Sequence, residues 1–274
     1  MEWAFDPGVI VGLVTIEGLY LRALRVLGRR RVRVPGKQIA LWHLGMTLWV
    51  AGLLSPIHTL GEDLLCFHMA QHLLIADLAA PVLLAGVRNP VLMFMLPRDI
   101  LVPLARARRA RAAFRWLRQP LVAIPVYVVV LYGWHFSFAF EAAVEHPLIH
   151  ALQHASFFMA GTLVWWPLIQ PVPMRHRLTG MWTFAYIVAA KFGLAALGLY
   201  LTWTHTVVYT YYEHVPRIWG LSAIDDQNVG GAIMMVEQSI VLVVAFAILF
   251  VRMLLQSEED ERRRERFEDP AAVA

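Results

Sequence analysis

The chain has 274 residues, of which 59% are hydrophobic and 16% charged, with a formal net charge of +4. Soluble domains carry about a quarter charged residues, so this balance, with a mean hydropathy of +0.56, points to an all-α polytopic membrane protein. Cys66 is the only cysteine, which excludes a disulfide framework and a paired-cysteine metal knuckle. No Gly-rich phosphate loop or GxSxG elbow is present, and MEWAFDPG lacks the basic start of a cleaved signal peptide.

Apolar runs long enough to cross a bilayer, roughly 17–25 residues, fall at about 7–27, 38–57, 64–86, 120–141, 147–170, 181–203 and 229–252. Seven transmembrane helices are therefore expected, forming one domain over 1–254, since only helices satisfy the backbone there without water. The connections sort by charge. GRRRVRVPGK (28–37), the stretch 88–119 with its eight arginines, Arg175 with Arg177, and the RRRER of the tail fall on one side. The other side carries Glu2, Asp6, Glu62, Asp63, Glu141, Glu145, Glu213, Asp225 and Asp226. This asymmetry sets the N-terminus outside and the C-terminus in the cytoplasm of a cell (plasma or inner) membrane. It also explains the basic balance without a nucleic-acid partner. The loop 88–119 is expected along the cytoplasmic lipid surface. The tail 255–274 is charged and expected to be mobile beyond a helical turn or two. The aromatic segment 204–228 is expected over the outer mouth of the bundle.

Nine of the eleven histidines fall in the outer half; only His43 and His176 sit near the cytoplasm. FHMAQH and HALQH each place two imidazoles four residues apart, on one helix face. At about 1.5 Å per residue, His68 and His72 lie roughly 8 and 13 Å below the outer end of the third span, and His135 about 9 Å below the end of the fourth. His150 and His154 lie about 5 and 10 Å down the fifth. Five imidazoles on three helices at one depth point to a metal or cofactor site, because polar groups in a membrane are costly and usually functional. His146 extends the second stripe. Met69, Cys66, Met159, Met234 and Met235 add soft donors that favour Cu(I). Neither motif is HExxH, so a zinc hydrolase is not expected. Gln71 and Gln153 suit hydrogen bonds around the ligands. Glu17, Asp77, Lys191 and Glu237 lie within spans; Lys191 is expected to pair with one of the three carboxylates. The small residues Gly193, Ala196 and Gly198 permit close helix packing within or between protomers, so a homo-oligomer is compatible with them.

The stretches 55–86, 131–168, the helix around Lys191 and DDQNVGGAIMM (225–235) together resemble the seven-span CtaG family of cytochrome c oxidase assembly factors. The resemblance implies maturation of heme–copper oxidases, with copper delivered to the copper B centre of subunit I. The family's histidine pair in span three falls on His68 and His72, its Trp-His on Trp134 and His135, its second pair on His150 and His154, and its Asp-Gln on Asp226 and Gln227. Gln153 stands where the family often has glutamate, and Met235 where a tryptophan is expected.

The expected function is that of a non-enzymatic metallochaperone. It takes copper from an extracytoplasmic donor and passes it to oxidase subunit I by ligand exchange. A b-type heme carrier using the same histidines is one rival. A copper or proton transporter is the other, weakened by the lack of a second histidine layer on the cytoplasmic side.

Overall fold

The computed structural model describes residues 3–174 and 178–268, and all regular structure among them is helical. Glu2, Arg175, His176, Arg177 and the last six residues of the tail lie outside the described residues. Helix α1 (Pro7–Arg29) starts at Asp6, whose carboxylate accepts from the amides of Gly8 at 2.7 Å and Val9 at 3.2 Å. This caps donors that the first turn leaves free.

The expected span 38–57 is interrupted. Helix α2 (Gly36–Leu54) stops at Ser55, and α3 (Pro56–Asp63) restarts one residue later. Proline disfavours helical backbone in the residue before it, and is well placed as the first residue of a new helix. Ser55 caps α3 by accepting from Ile57 N–H at 3.2 Å.

Helix α4 (Leu65–Leu73), a π-helical segment (Leu74–Ala79) and α5 (Ala80–Gly86) form one continuous rod. Three short helices follow: α6 (Val91–Met95), α7 (Arg98–Arg106) and α8 (Arg108–Leu117), the last two without a buried residue. The chain then bends by 79° into α9 (Pro120–His135). The expected span 120–141 also breaks, with α10 (Ser137–Glu145) beginning after extended backbone at Phe136. Helices α11 (Pro147–Ile169), α12 (Met181–Trp203), α13 (Tyr211–His214) and α14 (Ala223–Glu268) complete the described chain.

Four helical stretches among the described residues are long and apolar enough to cross a membrane: Gly36–Asp63, Leu65–Gly86, Met181–Trp203 and Ala223–Glu265. The bent pair α8–α9 makes a fifth if it counts as one span. Helices α1 and α11 have 23 residues each. Glu17, Arg22 and Arg25 in α1, and His150, Gln153 and His154 in α11, lower their apolar character.

The tail departs from expectation. Helix α14 runs on through it to Glu268. Its residues are strong helix formers, and Glu258 pairs with Arg262 one turn later at 3.8 Å.

Close backbone contact organises the bundle. A Cβ on Gly198 would lie 2.9 Å from the Gly231 carbonyl, so α12 and α14 touch main chain to main chain. The small-residue stripe thus packs inside the chain. A Cβ on Gly161 would lie 2.3 Å from the Ala76 carbonyl, which seats α11 against the π segment. One apolar core, including Leu65, Met69, Phe157, Leu194 and Met234, joins α4, α9, α11, α12 and α14. A second, around Tyr20, Trp42 and Leu83, joins α1, α2 and α5.

Candidate metal centre

Helix α4 begins under an external cap. The Asp226 carboxylate of α14 accepts from Leu65 N–H at 2.6 Å and Cys66 N–H at 3.0 Å. It fixes the start of the helix, where a negative charge is favoured. Gln227 accepts from Val208 N–H at 2.7 Å and donates to the Thr206 carbonyl at 3.1 Å, tethering the segment that follows α12. That segment lies over the bundle as expected. Tyr209 stacks on Phe140 at 4.0 Å between ring centres and donates to the His135 carbonyl at 3.2 Å. Tyr212 donates to the Gly61 carbonyl at 2.8 Å. The rim is acidic: burial first, then Glu62, Asp63 and Glu145, raise the pKa of the Tyr211 hydroxyl above its ordinary value.

Beneath this cover the two histidine stripes meet. The centre of the His68 ring lies 4.4 Å from His72 and 5.3 Å from His150; His154 lies 5.2 Å from His72 and 4.2 Å from His150. His58 joins them from α3, at 5.7 Å from His150 and 6.3 Å from His154. It was not among the candidates, because it sits on the short helix after the Ser55–Pro56 break, where span depth and helix periodicity both fail. The signal available was its place among the outer-half histidines.

His135 stands apart from this stack. Phe157 lies between, 6.2 Å from His135 and 4.6 Å from His72. His72 and His135 nevertheless share a small cavity of about 20 Å³ with Met69 and Met234. That volume suits one water molecule or one small ion.

The polar atoms of this layer lack partners. Nε2 of His68, His135, His150 and His154, and both ring nitrogens of His72, are buried without a hydrogen bond. So are Oε1 of Gln71 and both side-chain polar atoms of Gln153. Native interiors rarely leave buried polar atoms unpaired, and each exception calls for a reason such as an ion. The tautomer of His135 follows from its one bond. A carbonyl can only accept, so Nδ1–H donates to Leu131 O at 2.7 Å and Nε2 keeps its lone pair for a ligand. His58 is the reverse. Gln71 donates to the Gly52 carbonyl at 2.8 Å, which orients its amide NH₂ toward His58 Nδ1 at 2.7 Å. His58 Nδ1 is then the acceptor and its proton sits on Nε2.

Donor type and unpaired nitrogens fit a soft or borderline metal ion. The rings lie face to face or edge to face, however, and no three His, Cys, Asp or Glu side chains among the described residues hold a shared coordination point. Closing on an ion requires rotation about χ2, a soft torsion in histidine.

The remaining candidates fall elsewhere. His146 is exposed at the N-cap of α11, and Met159 is 64% exposed, so both are removed from the centre. Met235 accepts from the Thr202 hydroxyl at 3.8 Å, and Cys66 is a buried free thiol near Gly230, on the α14 side of α4. Lys191 pairs with Asp77, which also accepts from Tyr127 OH at 3.0 Å. Glu17 instead accepts from Trp42 Nε1 at 2.7 Å and meets His43 at 3.3 Å, while Glu237 accepts from the neighbouring Gln238 amide.

Relatives in mycobacteria match nearly the whole chain. Uncharacterized proteins of Mycobacterium bovis and Mycobacterium tuberculosis are each 25% identical over 284 residues, 97% of this chain and 42% of theirs. One of Mycobacterium leprae is 24% identical over 292 residues, with the same coverage. The chain therefore spans less than half the length of these relatives. No solved structure matches. The model of the cytochrome c oxidase caa3 assembly factors (Caa3_CtaG) matches residues 18–256, which takes in every helix of the histidine layer, and the chain belongs to that family.

Proposed function

We propose that the protein binds Cu(I) in the histidine layer and delivers it to the copper B centre of a heme–copper oxidase subunit I. The observation that carries this reading is the set of buried, unpartnered imidazole nitrogens on α4, α9 and α11. Imidazole and thioether together suit Cu(I) better than hard cations. Family membership supplies the oxidase as the assembly target.

In this reading the chain crosses a cell membrane seven times, through α1, α2–α3, α4–α5, α9–α10, α11, α12 and α14. The N-terminus is outside and the tail cytoplasmic. The arginine-rich connections and the acidic rim support that orientation. An extracytoplasmic donor releases copper at the rim, imidazoles of α4 and α11 take it, and a better ligand set on the oxidase removes it. The process is ligand exchange, not catalysis.

The closed packing favours copper over a b-type heme: the cavity beside His72 and His135 has room for an ion and none for a porphyrin. On the transporter alternative, His43 is engaged by Glu17 rather than free to form a second layer. The test is metal analysis of purified protein, wild type beside His68→Ala and His150→Ala. Copper in the wild type and its loss in both variants is expected. Equal copper in all three would remove the proposal, and a Soret band would replace copper with heme.

A further inference from the structure

Far from the histidine layer, the 79° bend between α8 and α9 opens a groove of about 1080 Å³ against α12. Its walls are apolar, formed by Leu121, Ile124, Trp182 and the ring of Tyr186, whose hydroxyl is already used on the Val164 carbonyl at 2.7 Å. Arg115 and Arg118 stand at its mouth.

Helix α8 reaches α11 through Phe114. Phe114 sits edge-on against Trp166 of α11 at 5.0 Å, and the Arg118 guanidinium lies over the same Phe114 ring at 5.5 Å. Arg115 and Arg118 are three residues apart at the end of α8, so both guanidiniums reach the same groove. Among the described residues neither takes part in an ion pair, and no carboxylate lines the groove.

We propose that this groove binds an anionic glycerophospholipid. The phosphate is held by Arg115 and Arg118, and an acyl chain lies against Leu121, Ile124 and Trp182. Three features select this occupant. The guanidinium fork matches phosphate oxygens bidentately. Two unneutralised cations disfavour the choline of a zwitterionic lipid and attract a net negative head. An apolar groove of this size is costly to fill with water, and a soluble anion would leave it empty. Arg98 and Arg106 on α7 and Arg108, Arg109 and Arg111 on α8 are exposed and add positive charge to the segment leading into the groove. Basic residues favour anionic over zwitterionic head groups, so the pair at the mouth should give a preference of roughly tenfold or more.

The experiment reconstitutes the full chain with equal phosphatidylglycerol and phosphatidylcholine and reads retained lipid by native mass spectrometry. The wild type should keep phosphatidylglycerol over phosphatidylcholine by about tenfold. Arg115→Gln/Arg118→Gln should bring that ratio near one. Ala185→Trp, on the exposed wall of the groove, should reduce retention of both lipids with the arginines intact. Equal retention of the two lipids by the wild type would overturn the proposal. So would an unchanged preference in the double variant, or full retention in Ala185→Trp.

Discussion

Two layers of this bundle bury polar side chains and treat them in opposite ways. Around Asp77 the groups close on one another: Lys191 pairs with the carboxylate, Tyr127 donates to it, and Trp165 presents its ring to the ammonium at 5.3 Å. In the histidine layer, rings stand 4–6 Å apart along and between α4 and α11, and each of His68, His72, His150 and His154 keeps at least one nitrogen unpaired. The ion pair of the first layer is satisfied internally, with only Trp165 Nε1 and one oxygen of Glu237 beside it lacking a hydrogen bond. The second keeps buried polar atoms without a hydrogen bond. A buried charge with its counter-charge is a solved structural problem, whereas a buried neutral base without a partner is a reservoir of unused ligand capacity.

The largest effect that would break this contrast is expected at the completed layer. Lys191→Ala strands a buried carboxylate and should cost about 3–5 kcal/mol. Unfolding of the reconstituted protein measures it. Replacing both partners, as Asp77→Leu/Lys191→Met, should recover most of that loss, since an apolar pair of similar volume leaves no charge uncompensated. A double variant as unstable as the single one would show that the ion pair is not what matters there.

The histidine layer should answer the other way, in ligand and not in fold. His68→Ala or His150→Ala is expected to weaken copper binding roughly tenfold or more, about 1.4 kcal/mol, with little change in unfolding. Competition with a Cu(I) chelator reads the first quantity and denaturation the second. Acidification gives the next effect. Only the neutral imidazole has a lone pair to offer, so copper should be retained at neutral pH and lost on acidification. Affinity that is indifferent to acidification right down to the onset of unfolding would remove imidazole ligation. The smallest effect sharpens the boundary of the layer. His146→Ala and Met159→Ala, whose side chains are exposed, should leave copper content unchanged.

The sequence carried the helical class, the membrane setting and the two histidine faces, because each rests on a local rule of period or composition. It also required a partner for Lys191, since a lone charge in a span is costly. It could not choose Asp77 over Glu17 or Glu237, which depends on how helices far apart in the chain come together. His146 failed for a local reason. It lies on the same stripe as His150, but it precedes Pro147 with extended backbone, so helical spacing does not apply to it. Met159 lies five residues beyond His154, about 140° around the helix, and depth without azimuth put it in the wrong place. His58 and the continuation of α14 were hidden by a break and by a composition that reads as solvated whether or not it is helical.

The π segment Leu74–Ala79 follows the His68–His72 stripe directly and itself carries Asp77 of the other layer. A π turn accommodates one residue more than an α turn, so the half of the rod bearing His68 and His72 is set at an angle to the half below that a continuous α-helix would not give. Removing a single residue there would turn the wide turn into an ordinary one with little net rotation, whereas removing one from α5 would swing both imidazoles by about 100° away from α11. Length variation is therefore nearly silent in this short stretch and costly in the α-helical turns below it, where one codon lost would turn both imidazoles away from their neighbours while every histidine remained in the gene.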